Sequence, residues 1–138
     1  MTDLCHLPAH ELIRLMSEKS VSCREVIEAH LARIEAVNPA LNALVSATDP
    51  QWCLDAADDA DNRAARGDPL GKAHGLPVVI KDVIRVAGLA CSGGSPVLRS
   101  VARKDATAVS RLRAEGPSAR PGGPAALAAG GIGAGTWV

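Results

Sequence analysis

"HGLPVVIKDVI", residues 74–84, sets a lysine and an aspartate directly behind a run of apolar residues. Residues 78–80, Val-Val-Ile, form a continuous β-branched stretch, the pattern of a strand covered on both faces in a sheet flanked by helices. Ahead of it, "DPLGKAHGLP" (68–77) has the glycines and prolines of a connecting loop. Judged alone, Lys81 is an ordinary strand-end lysine with its head in water. Its place behind three apolar residues raises the alternative of an amine held for chemistry.

Working outward, the flanking segments read as helices. Residues 8–19 start with proline, which suits a first helical turn, and set Leu12, Leu15 and Met16 on one face. Ser22 followed by Glu25 makes a capping box, and Val26, Ile27, His30, Leu31 and Ile34 continue as an apolar stripe that Asn38-Pro39 should end. A third helix is expected from Asp49-Pro50 through an alanine-rich run to Gly67. "AGLACSGGSP" (87–96) reads as a second irregular loop. Asp105 is expected to cap a fourth helix with Val109 and Leu112 inward, stopping at Gly116.

The chain has 138 residues, one domain at most and long enough for a real core. Fifteen basic and fifteen acidic residues cancel, so no nucleic-acid or membrane-surface partner is expected. The first residues lack the pattern of a signal peptide, and no apolar run is long enough to span a bilayer. Four cysteines without Cys-x-x-Cys spacing fit reduced thiols in a cytoplasm. Two tryptophans with neither phenylalanine nor tyrosine force a core of Val, Leu, Ile and Ala. Residues 117–138 are dominated by Ala, Gly and Pro with no helical or strand period, and are expected to be an irregular low-complexity tail.

Three segments carry a family resemblance. "RIEAVNPALNAL" (33–44) is similar to an Arg-Ile, Asn-Pro, Asn-Ala pattern of the amidase signature family. "GLPVVIKD" (75–82) resembles its Gly-Ile-Pro-x-x-x-Lys-Asp element. "GLACSGGSPVL" (88–98) with "DATAVSRLRAEG" (105–116) resembles its Thr-x-Gly-Ser loop and the helix that follows. The resemblance implies a mixed α/β sheet covered by helices. It also implies carboxamide hydrolysis, or ammonia supply from glutamine in tRNA-dependent amidotransferases, through a Ser-cisSer-Lys triad with no cofactor and no metal. The family lysine falls on Lys81.

The chemistry requires that lysine to be neutral, since it must accept a proton from a serine hydroxyl. A free lysine titrates near 10.4, and bringing it near 7.5 takes about 4 kcal/mol of differential interaction, which desolvation can supply. Residues 78–80 are expected to bury Lys81. Asp82, on the opposite face of the strand, is expected to be structural.

The resemblance is expected to end at Gly116, giving residues 1–116 as the N-terminal part of an amidase-signature domain and 117–138 as the tail. The family segment that holds the nucleophile has no counterpart, which points to a truncation or a reading-frame change. Gly93-Gly94-Ser95 and Ser92 are poor substitutes, because they align with the earlier family loop. Cys5, His6 and His10 do not make a metal set, since Pro8 interrupts the helical spacing and a fourth ligand is missing. His30 and His74 are expected to pack, and nothing marks Cys91 as activated.

The expected protein is therefore an N-terminal amidase fragment, acting in full length on a small-molecule amide substrate and inactive alone. The alternatives are a non-catalytic interaction protein using its two amphipathic helices, and a fragment of an amidotransferase A-type subunit.

Overall fold

The computed structural model describes residues 3–116 and 128–130. A short 3-10 turn at Leu4–His6 leads to α1 (Ala9–Ser17), and α2 (Cys23–Leu41) follows after a tight connection. Pro8 stands just ahead of α1, where its missing N–H costs nothing. The capping box of α2 is present: Glu25 N donates to Ser22 Oγ, and Ser22 N donates back to the Glu25 carboxylate at 2.8 Å. A second carboxylate joins it, since Asp61 accepts from the amides of Cys23 at 2.8 Å and Arg24 at 3.1 Å.

The expected end of α2 at Asn38-Pro39 is displaced. The helix runs through Pro39 to Leu41 and closes on Asn42, whose left-handed conformation (φ 48°) caps it. A proline this close to the end deletes a single helical bond. Asn38 helps from its side chain, the amide bridging both the N–H and the carbonyl of Leu44 at 2.9 and 3.1 Å. That bridge starts β1 (Leu44–Ala47), a strand the sequence pattern did not reveal.

α3 (Pro50–Arg66) begins and ends as expected, with Asp49 accepting from Gln51 N and Gly67 left-handed at φ 75°. The expected strand over 78–80 is shorter and later: β2 is Ile80–Lys81. Inside the loop of residues 87–96 lies β3 (Ala90–Cys91), which pairs antiparallel with β4 (Ser100–Val101). α4 is Thr107–Ala114, and Gly116 (φ 78°) stops it. Asp105 is not its cap. Its carboxylate reaches sideways to Ala87 N at 2.7 Å and to Arg113 Nε at 2.7 Å, fastening the helix to the 85–87 loop.

β5 (Ala128–Gly130) falls within the stretch expected to be an irregular tail, and it occupies the centre of the main sheet. The order is β1-β5-β2, with β5 antiparallel to β1 and parallel to β2, so the sheet is mixed. The rest of the expected tail lies outside the described residues.

The main core lies between α1, α2, α3 and the approach to β2, where Leu12, Val26, Ile27, Ala57 and Val79 are buried together. Sulfur fills part of the volume that aromatics usually take, through Met16, Cys23 and Cys53. A smaller cluster under α4 pairs Val109 with Val86. The 71–75 loop is the junction of these parts. Gly75 is left-handed (φ 72°), and a Cβ there would lie 2.3 Å from Cys23 Sγ, so only glycine fits. Among the described residues, no helix is long and apolar enough to cross a membrane.

Candidate active site

The residues leading to Lys81 turn their side chains into the core: Val78 is 7% exposed and Val79 is 6% exposed. Lys81 itself is exposed. The expectation that the three apolar residues would bury it fails for a geometric reason. Val79 packs in the main core and Ile80 against Val86 and Val109, while among the described residues β2 is an edge strand of the sheet and Lys81 stands exposed at its end. The ammonium makes no hydrogen bond or ion pair among the described residues.

Asp82 lies in the turn just after β2, not on the strand's opposite face. It is 2% exposed and receives three donors from the 92–94 loop: Ser92 N at 3.1 Å, Ser92 Oγ, and Gly94 N at 3.3 Å. Burial pushes its carboxyl upward, but the bonds from Ser92 and Gly94 outweigh burial and hold it below the usual carboxylate range. The turn after Lys81 closes through Ile84 N on the Lys81 carbonyl at 2.8 Å. Ser92 is thus committed to holding the loop, which suits a structural serine and not a nucleophile.

His30 is buried and donates through Nδ1 to Val26 O at 2.7 Å. His74 is buried and donates through Nε2 to Ala60 O at 3.0 Å. His6 pairs with Asp3 at 2.8 Å in the N-terminal turn, while His10 sits in α1. Among the described residues, no three His, Cys, Asp or Glu side chains cluster as a metal site. A cleft of about 520 Å³ opens between the α1–α2 connection and the end of α3, bordered by Ser20, Ser22, Asp61, Leu70 and His74; Lys81 is not part of it. Asp61 could not be found from sequence, because its partners on α2 lie far away along the chain.

The chain thus sets a helical layer on a mixed sheet, with an exposed lysine on the sheet's edge and a buried aspartate next to it. The fold matches the native peptide amidase from Stenotrophomonas maltophilia with a TM-score of 0.73 at 30% identity, covering 80% of this chain and 23% of that one. The family model described as Amidase matches residues 25–134, and the chain belongs to this family. The match continues past Gly116 and includes β5.

Among curated relatives, the chain is similar to the A-type subunit of the glutamyl-tRNA(Gln) amidotransferase of Salinispora tropica, at 43% identity over 117 residues. That alignment covers 84% of this chain and 24% of the relative. It is also similar to an acylamidase of Rhodococcus erythropolis, at 37% identity over 111 residues, covering 80% of this chain and 23% of that protein. The chain spans about a quarter of the length of the relatives it matches.

Proposed function

We propose that this chain is the N-terminal part of an amide-hydrolysing enzyme in which Lys81 is the proton-transfer lysine. The observation that carries the reading is the pairing of neighbours: Lys81 faces outward on the free edge of β2, while Asp82 anchors the loop beneath it. In the reaction, a neutral Lys81 takes the proton relayed from a serine hydroxyl as that oxygen attacks the amide carbon. The C–N bond then breaks, the amine leaves with a proton, and water releases the carboxylate. Both serines come from family sequence outside this stretch, and the chain by itself hydrolyses nothing. The desolvation that Lys81 needs is supplied by that same missing part, closing over the exposed edge. The full enzyme acts on a small-molecule amide in the cytoplasm, without nucleic acid or membrane.

The test joins residues 1–116 to the remaining part of the Rhodococcus acylamidase. The joined enzyme is expected to release amine from simple amides, and Lys81→Ala is expected to lower kcat by about 10²- to 10⁴-fold. Undiminished turnover in Lys81→Ala would refute the assignment.

The likeness to the Salinispora amidotransferase favours a second reading, in which the amide is glutamine and the ammonia passes to a partner's substrate. Joining the chain to the remainder of that relative separates the two: glutamine hydrolysis without cleavage of simple amides supports the second reading.

A further inference from the structure

One buried polar atom stands without a partner. His74 is 8% exposed, its Nε2–H is spent on the Ala60 carbonyl, and its Nδ1 is buried with no hydrogen-bond partner among the described residues. In this tautomer Nδ1 is a bare acceptor, which packing tolerates. An imidazolium would place a second N–H there with nothing to receive it, at the cost of a buried unsatisfied charge.

The ring sits at the centre of the junction already described. Ala73 N donates to Glu115 O at 3.0 Å and Gly75 N to Gly116 O at 3.3 Å, so the residues on either side of His74 hold the end of α4. Lys72 N reaches the Glu115 carboxylate at 3.3 Å. A Cβ on Gly71 would lie 2.0 Å from Glu115 O, which shows how closely the two segments are pressed together.

We propose that His74 is a proton-operated latch: neutral, it pins the 71–75 loop between α3 and the end of α4, and on protonation it releases both contacts. This device lies upstream of Lys81 in the same loop-to-strand segment and is independent of the catalytic reading.

The charged groups around it leave the balance with burial. α3 contributes Arg63, which opposes protonation, and Asp61, which favours it but already accepts two α2 amides. α2 contributes Cys23, whose thiol burial pushes up to about 12, so it stays neutral. The loop contributes Lys72, and α4 contributes Glu115, occupied by the Lys72 amide. Lys19 and Glu25 border the neighbouring cleft. Burial, the largest effect, holds the His74 imidazole below its ordinary value despite the Ala60 bond. A histidine depressed in the folded state contributes stability above its unfolded value, near 6.5, and loses it as pH falls.

The test is amide hydrogen exchange at Ala73 and Gly75 in the full chain between pH 7.5 and 5, corrected for intrinsic rates. A ring titration of His74 by NMR is run alongside. Protection at both amides is expected to fall by up to about tenfold per pH unit below about 6.5. His74→Gln, which keeps a donor for Ala60 O and does not titrate, is expected to abolish that dependence, while His30→Gln preserves it. Protection that stays constant with pH in the parent chain overturns the latch, as does dependence that survives in His74→Gln or vanishes in His30→Gln. If His74→Gln does not fold, the ring titration decides: a midpoint at or above 6.5 overturns the proposal, and one clearly below supports it.

Discussion

Lys81 and Asp82 are neighbours in opposite environments: the lysine at the end of β2 is exposed, and the aspartate in the turn that follows is buried. The aspartate is the more informative residue for stability, since its carboxylate organises the 92–94 loop through charged hydrogen bonds. Asp82→Asn is expected to destabilise the chain by about 1–3 kcal/mol, read from urea unfolding at pH 7. Because the folded carboxyl is held below its ordinary value of about 3.9, its contribution is complete above that pH and fades below it. The gap between parent and variant should therefore close as pH drops through about 4 and beyond. A gap that stays constant down to pH 2 would show that the carboxylate is not the holding group. A structural role for Asp82 was expected from "VVIKD", but its inward face is set by the turn after β2 and not by a period of two, since Val78 and Val79 are both buried. Exposure of the lysine was not legible, because that depends on what lies across the sheet edge.

At the scale of elements, local chemistry predicted those caps whose partners lie within a few residues. The capping box of α2, the Asp49 cap of α3 and the Gly67 stop appear as read, since each is decided within a few residues. Asn38 and Asp105 were misread because their side chains serve another segment: Asn38 holds β1, and Asp105 holds the 85–87 loop. Asn38→Ala leaves the Leu44 amide and carbonyl without their partner, and is expected to cost about 1–2 kcal/mol in a thermal melt followed by circular dichroism. A change within a few tenths of a kcal/mol would mean that water replaces the bridge freely. The hairpin β3–β4 escaped sequence reading because two-residue strands carry no period.

For the molecule as a whole, the apolar balance is uneven. Val97 is 89% exposed, Leu98 68% and Val101 65%, all on or next to the hairpin, and Val83 lies beside the same loop. Such a face favours self-association when uncovered. Replacing Val97 and Leu98 together by lysine is expected to raise the concentration at which light scattering appears, with no loss of melting temperature. A large drop in melting temperature would show that these residues support the fold. The central position of β5 has a further consequence, for the order of events during synthesis. Among the described residues, β1 and β2 are not neighbours in the sheet, and each pairs with residues 128–130. A nascent chain that has passed the ribosomal tunnel as far as α4 can therefore assemble its helices, yet must hold two strands in waiting until the last of the three arrives between them.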